Sequence, residues 1–131
     1  MTAAPRVLVV EDHPLILPLV AETLASVGCE VISAATAEAA MAALDAHAGR
    51  LNALVADIDL GDPDLTGFDV ARRARELNPA LPVIYASARP AEDVEVQGVS
   101  GAVHLAKPYC PVRLCREIGA LLAAAADGLA A

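Results

Sequence analysis

A chain of 131 residues with a formal net charge of −8 has room for one domain of ordinary size, and its acidic balance excludes the basic face that nucleic acid or an anionic membrane demands. Although 56% of residues are hydrophobic, much of that is Ala, Trp is absent and Phe68, Tyr85 and Tyr109 are the sole aromatics, so the expected core is Leu, Val, Ile and Ala. Cys29, Cys110 and Cys115 lack metal-type spacing and fit free packing thiols in a reducing compartment, no basic-then-apolar leader precedes Arg6, and no apolar tract reaches the roughly 18 residues of a membrane span.

Periodicity then predicts strand and helix in strict alternation. Val7 to Val10 forms the first strand. A helix follows from Pro14 to Val27, with Ile16, Leu19, Val20, Leu24 and Val27 at helical spacing and Gly28 as its C-terminal cap. Pro18 is the odd residue there: the helix starts late or its opening turn is distorted. Glu30 to Ala34 is a second strand, and Thr36 caps an Ala-rich helix ending near Gly49. The run Leu54-Val55-Ala56 is the third strand, followed by a turn-rich loop from Gly61 to Gly67. Phe68, Val70, Ala71, Ala74 and Leu77 mark the next helix, stopped by Asn78-Pro79. Val83 to Ala86 is the fourth strand. The segment 90–98 mixes apolar and acidic residues and predicts a short or mobile element. Ala102 to Leu105 is the fifth strand, and a last helix runs from about Pro111 to Ala126, beyond which the alanines are expected to fray.

This alternation predicts an α/β fold, a doubly wound five-stranded parallel sheet with helices on both faces, as one domain over 1–131 with its core at about 5–125. In such a sheet the C-terminal strand ends line one crevice. The chain places Glu11-Asp12, Asp57, Ser87 and Lys107-Pro108 at those ends. Gathered carboxylates repel, each pair by about 4 kcal/mol at 4 Å and an effective dielectric near 20, and a bound cation removes that cost. An all-oxygen, carboxylate-rich site suits a hard ion such as Mg²⁺, which shares its shell with phosphate. Asp57 is then a candidate carboxylate nucleophile toward phosphorus, Lys107 a point charge for phosphoryl oxygens and the Ser87 hydroxyl a hydrogen-bond donor.

The ordered set of Glu11-Asp12, His13-Pro14, Asp57, Ser87-Ala88 and Lys107-Pro108 resembles the receiver domain of two-component response regulators over nearly the whole chain. The resemblance implies the flavodoxin-like strand order 2-1-3-4-5, and a phosphoryl group passed to Asp57 from a sensor histidine kinase or histidine phosphotransfer protein. It also implies Mg²⁺ held by Asp12 and Asp57, by Glu11 through water and by the backbone carbonyl of Asp59. Ser87 would swing toward the phosphoryl group, Lys107 would bridge to it beside a cis peptide before Pro108, and the switch pair would be Ser87 and His104. His104 stands where that family commonly has Tyr or Phe, and its charge changes near neutral pH. The loop after Asp57 is longer than the family's usual Pro-Gly turn, and Arg89 stands where the family tunes dephosphorylation.

The resemblance thus implies a stand-alone cytoplasmic receiver, not an enzyme, with no output segment within these residues. It would act as a monomer or phosphorylation-dependent dimer on a downstream protein, with neither nucleic acid nor membrane as partner. A degenerate receiver that binds partners without phosphorylation is the main alternative. Asp57-Ile58-Asp59 also resembles the first motif of haloacid-dehalogenase-type phosphatases, and Glu11 with Asp57-Ile58-Asp59 resembles the Toprim metal site. Neither of those requires Ser87 and Lys107 where they stand.

Overall fold

The computed structural model describes the backbone of residues 4–130. Its elements alternate as β1 (Arg6–Val10), α1 (Ile16–Ser26), β2 (Glu30–Ala34), α2 (Ala37–His47), β3 (Ala53–Ala56), α3 (Gly67–Leu77), β4 (Val83–Ser87), α4 (Ala91–Gln97), β5 (Val103–Ala106) and α5 (Pro111–Ala130), with a single 3₁₀ turn at Ala48–Arg50 after α2. The strands form one parallel sheet in the order β2-β1-β3-β4-β5. The reversal of order lies between β1 and β3, where Val10 pairs with Ala56, so the residues after those two strands emerge side by side.

Central strands buried on both faces read as continuous apolar runs, and β3 and β4 are buried throughout. Alternate residues feed two cores. Leu8, Val10, Leu54, Ala56, Val83 and Tyr85 face the α2 and α3 side, whereas Val7, Val9, Val55, Ile84 and Leu105 face α1 and α5. The expectation of an aliphatic core needs one correction. Tyr85 and Phe68 are the largest fully buried side chains, meeting edge-on at 5.2 Å between centroids. The Tyr85 hydroxyl is tolerated inside because it accepts a hydrogen bond from the Val99 N–H at 3.1 Å.

The helix boundaries follow local chemistry. Pro18 is the third residue of α1, where an N–H has no intrahelical partner, so it removes no bond from the helix. At the other end Gly28, with φ +96°, closes the helix by donating to Ala25 while Cys29 donates to Leu24. Thr36 caps α2 by accepting from the Ala39 N–H. Thr66 and Asp69 form a reciprocal capping box at α3, which fixes where the long loop after β3 ends. The α4 element is short, seven residues, as its mixed pattern predicts. The last helix runs four residues past its expected end, through Asp127, Gly128 and Leu129 to Ala130.

Candidate functional site

Three loops at the C-terminal rim of the sheet, after β1, β3 and β5, bring Glu11, Asp12, Asp57 and Lys107 together. Each carboxylate reaches its place by continuing a strand: the Glu11 N–H donates to Ala34, and the Asp57 N–H donates to Val10 at 2.9 Å. Carboxylate oxygens of Glu11, Asp12 and Asp57 lie within 4.8 Å of one another. Glu11 and Asp57 are buried at 4% and 8% exposure, whereas Asp12 faces solvent. The Lys107 ammonium donates to both buried carboxylates, to Glu11 Oε1 and to Asp57 Oδ2 at 3.1 Å. The peptide between Lys107 and Pro108 is cis, as expected. Ser87, at the end of β4, is fully buried beside this cluster, and its carbonyl accepts from the Lys107 N–H at 3.0 Å.

The description "response regulator receiver domain" matches this chain over residues 7–119. The chain belongs to that family. It is 32% identical over 118 residues to the probable transcriptional regulatory protein TcrX of Mycobacterium tuberculosis, covering 88% of this chain and 49% of that protein. The chain therefore spans about half the length of that curated relative. Among solved structures it is similar to a response regulator receiver protein from Sinorhizobium medicae, with TM-score 0.85, 30% identity and coverage of 92% and 96% of the two chains. A CheY-like receiver domain protein from Methanospirillum hungatei aligns with TM-score 0.79 at 27% identity, covering 91% of this chain and 94% of that one. Receiver membership, with the two-component signalling role it carries, leaves the dehalogenase-like and Toprim-like resemblances without support.

The electrostatics of the receiver's pocket set its two buried carboxylates apart. Burial pushes the Asp57 carboxyl up to about 6, with Glu11 adding to the rise and Lys107 opposing it. Burial acts on Glu11 too, but hydrogen bonds from Lys107 and from the His13 N–H at 3.1 Å prevail and hold it below its ordinary value. Lys107 is held above its ordinary value: desolvation opposes the charge, and the bonds to Glu11 and Asp57 outweigh it. One ammonium thus serves two carboxylates, and Asp57 is the one left under-compensated. An all-oxygen cluster with surplus negative charge fits a hard divalent ion.

The remaining candidates stand at the edge of this pocket. The Ser87 hydroxyl accepts from the Arg89 N–H at 3.0 Å. His104 is half-buried on β5, with Nε2 3.4 Å from the Ser87 carbonyl. The Asp59 side chain turns away from the carboxylates to meet Arg89, with its oxygens 2.7 to 3.3 Å from the guanidinium nitrogens, and this pairing holds its carboxyl below the usual range. That ion pair, which also sets the Arg89 guanidinium 5.9 Å over the Phe68 ring, was not legible in the chain. Thirty positions separate the partners, and only the crossing of two loops unites them.

Gly67 was a turn signal in the sequence, but the structure gives it a sharper reason. A Cβ there would fall 2.0 Å from the Asp57 carbonyl oxygen and 2.9 Å from the Ile58 Cα, both backbone atoms that cannot swing aside. The Gly67 N–H also donates to the Ile58 carbonyl at 2.8 Å. The start of α3 is therefore pressed against the chain that carries Asp57. Gly67→Ala is expected to cost about 2 kcal/mol or more of stability and to lower Mg²⁺ affinity, measured by urea unfolding and by titration. Unchanged values in both would show that this approach does not position Asp57.

Proposed function

We propose that Asp57 accepts a phosphoryl group from a phosphohistidine on a partner protein, and that the aspartyl phosphate shifts the receiver to a state read by a downstream protein. The single observation carrying this reading is the shared cation: Lys107 reaches both Glu11 and Asp57 in a pocket of buried carboxylates. A degenerate receiver has no need to keep the acceptor, the acid pair and the lysine all in register. Glu11, Asp12, Asp57 and the Asp59 carbonyl would hold the ion. Mg²⁺ there would supply the charge that keeps Asp57 ionised and draws in the phosphoryl oxygens.

The chain's own groups do the rest. Asp57 attacks phosphorus in line; the O–P bond forms as the donor's N–P bond breaks, and the imidazole leaves with the electron pair. Lys107 transfers one of its bonds to a phosphoryl oxygen, where its charge offsets that of the added group. The Ser87 hydroxyl exchanges its role as acceptor from Arg89 for that of donor to the phosphoryl group. No output chemistry is expected of the receiver beyond transfer and loss of this group, in the cytoplasm. Intact mass after incubation with Mg²⁺ and a small-molecule phosphodonor tests the reading, with the gain of one phosphoryl unit as the expected result. No gain would refute it.

The partner side has a physical footing as well. Beside Lys107 an apolar groove of about 500 Å³ is lined by Ile16, Leu19, Val20, Pro108, Tyr109 and Pro111. Leu15, just before α1, and Leu19 on its first turn are 77% and 51% exposed, an unusual state for two leucines a turn apart. A donor protein seating an apolar helix face there would bring its phosphohistidine to Asp57. Leu19→Asp is expected to slow transfer from such a donor by about tenfold or more while leaving the small-molecule reaction unchanged. Equal slowing of both reactions would mean that Leu19 acts on the pocket and not on docking.

A further inference from the structure

We propose that Cys29 and Cys115 form a redox-sensitive dithiol, a modification site that a hydroperoxide converts to a disulfide tying the end of α1 to α5. The inference is independent of the phosphoacceptor reading. In the sequence the two thiols stand far apart and look like unrelated packing residues. The fold seats them on neighbouring carbonyls of one helix: Cys115 Sγ lies 4.0 Å from the Thr23 carbonyl oxygen, and the Cys29 N–H donates to the Leu24 carbonyl at 3.1 Å. Both pack against the same core, the one that α1 and α5 share. All three cysteines carry free thiols.

Access and product chemistry both single out this pair. A groove of about 330 Å³ between the end of α1 and α5 is lined by Val27, Cys29, Val112, Cys115 and Leu122, so a small oxidant reaches both half-buried thiols. Burial pushes each thiol above its ordinary range, and the nearby Cys115 adds to the rise at Cys29. A setting that opposes a thiolate does not oppose a disulfide, which is uncharged and needs no hydrogen bond. Cys110 differs on both counts, being exposed and outside this groove.

The step balances with the oxidant alone. Cys115, raised by burial only, is the easier of the two to ionise, and its thiolate attacks one peroxide oxygen. An S–O bond forms, the O–O bond breaks, and the departing hydroxide takes up the thiol's proton as water. Cys29 then attacks the sulfenic sulfur; the S–S bond forms, and the S–O bond breaks with loss of a second water. Two thiols lose two electrons and one peroxide gains them. The product closes the chain from residue 29 to residue 115, a loop that holds Asp57, Ser87 and Lys107. Restricting the unfolded chain in this way stabilises the fold, and a low-molecular-weight thiol reverses it by exchange.

The test treats the full chain with hydrogen peroxide, alkylates it under denaturing conditions, and reads intact mass and a non-reducing peptide map. The expected result is a loss of about 2 Da before alkylation, a linked Cys29–Cys115 peptide, Cys110 as the thiol still open to alkylation, and reversal by dithiothreitol. Cys110→Ser removes crosslinking between chains through the exposed thiol and should leave the bond intact, whereas Cys29→Ser and Cys115→Ser should each abolish it. The oxidised chain should also unfold about 5 °C or more above the reduced one. Gain of oxygen without the 2 Da loss, a crosslink that involves Cys110, or a Cys29–Cys115 bond that fails to raise the unfolding temperature overturns the inference. Each would mean that the fold does not hold these two sulfurs in bonding reach.

Discussion

Asp57→Asn is expected to end phosphoryl acceptance and, in the same step, to stabilise the metal-free receiver at neutral pH. The first effect is chemical: the amide is no nucleophile toward phosphorus, so the mass gain seen with wild type should vanish under the same donor and Mg²⁺. The second comes from burial. Asp57 has a carboxyl pushed up from 3.8 to about 6, so the folded state binds its proton more tightly than the unfolded chain does. Below both values the group is protonated in both states and contributes nothing. As pH rises from 3.8 toward 6 the unfolded chain releases the proton first, and folded-state stability falls by about 1.4 kcal/mol per unit. Above 6 the full penalty persists, on the order of 1–3 kcal/mol after partial relief by Lys107. The amide removes the penalty, so urea unfolding should find the variant more stable at pH 7 to 8, with the advantage shrinking toward pH 4. Added Mg²⁺ should stabilise wild type more than the variant. A variant less stable than wild type at neutral pH would mean that Asp57 is better compensated than its burial implies.

The sequence and the structure agree most where one strong local signal decides the outcome. Strands β1, β3 and β4 carry apolar runs, Val7 to Val10, Ala53 to Ala56 and Val83 to Ala86, each followed at once by a polar residue, so the same short stretch announces both the element and the site residue at its tip. Caps at Thr36, Thr66 and Gly28 are likewise local, each satisfied within three residues. What stayed hidden depends on through-space pairing. The Asp59 and Arg89 side chains look like independent loop charges until the β3–α3 and β4–α4 connections cross. Tyr85 and Phe68 could not be assigned to the core from their scarcity, because burial depends on which face of β4 looks toward α3. The lysine's division between Glu11 and Asp57 is of the same kind. Its presence was legible, but its simultaneous reach to two carboxylates was not.

That division makes Lys107→Ala the second large effect, and one that separates structure from chemistry. In the metal-free receiver the substitution leaves Glu11 and Asp57 buried, adjacent and without their cation. Removing one partner of a buried charge cluster costs about 3 kcal/mol, which for a domain of this size lowers Tm by roughly 10 °C. Because the lysine's pKa is raised from 10.5, its contribution is fully present below that pH and is lost only in stronger alkali. The deficit should therefore be visible across the whole neutral range. Adding Asp57→Asn to Lys107→Ala removes one of the stranded charges and should restore much of the stability, a coupling that a double-mutant cycle measures directly. Mg²⁺ should also narrow the deficit, since a divalent cation offsets the same two carboxylates. Phosphoryl acceptance behaves differently. Saturating Mg²⁺ does not replace the ammonium at the phosphoryl oxygen, so the rate should stay about a hundredfold or more below wild type after stability has recovered. Recovery of rate together with stability would instead assign Lys107 to holding the pocket together, with no part in the transfer.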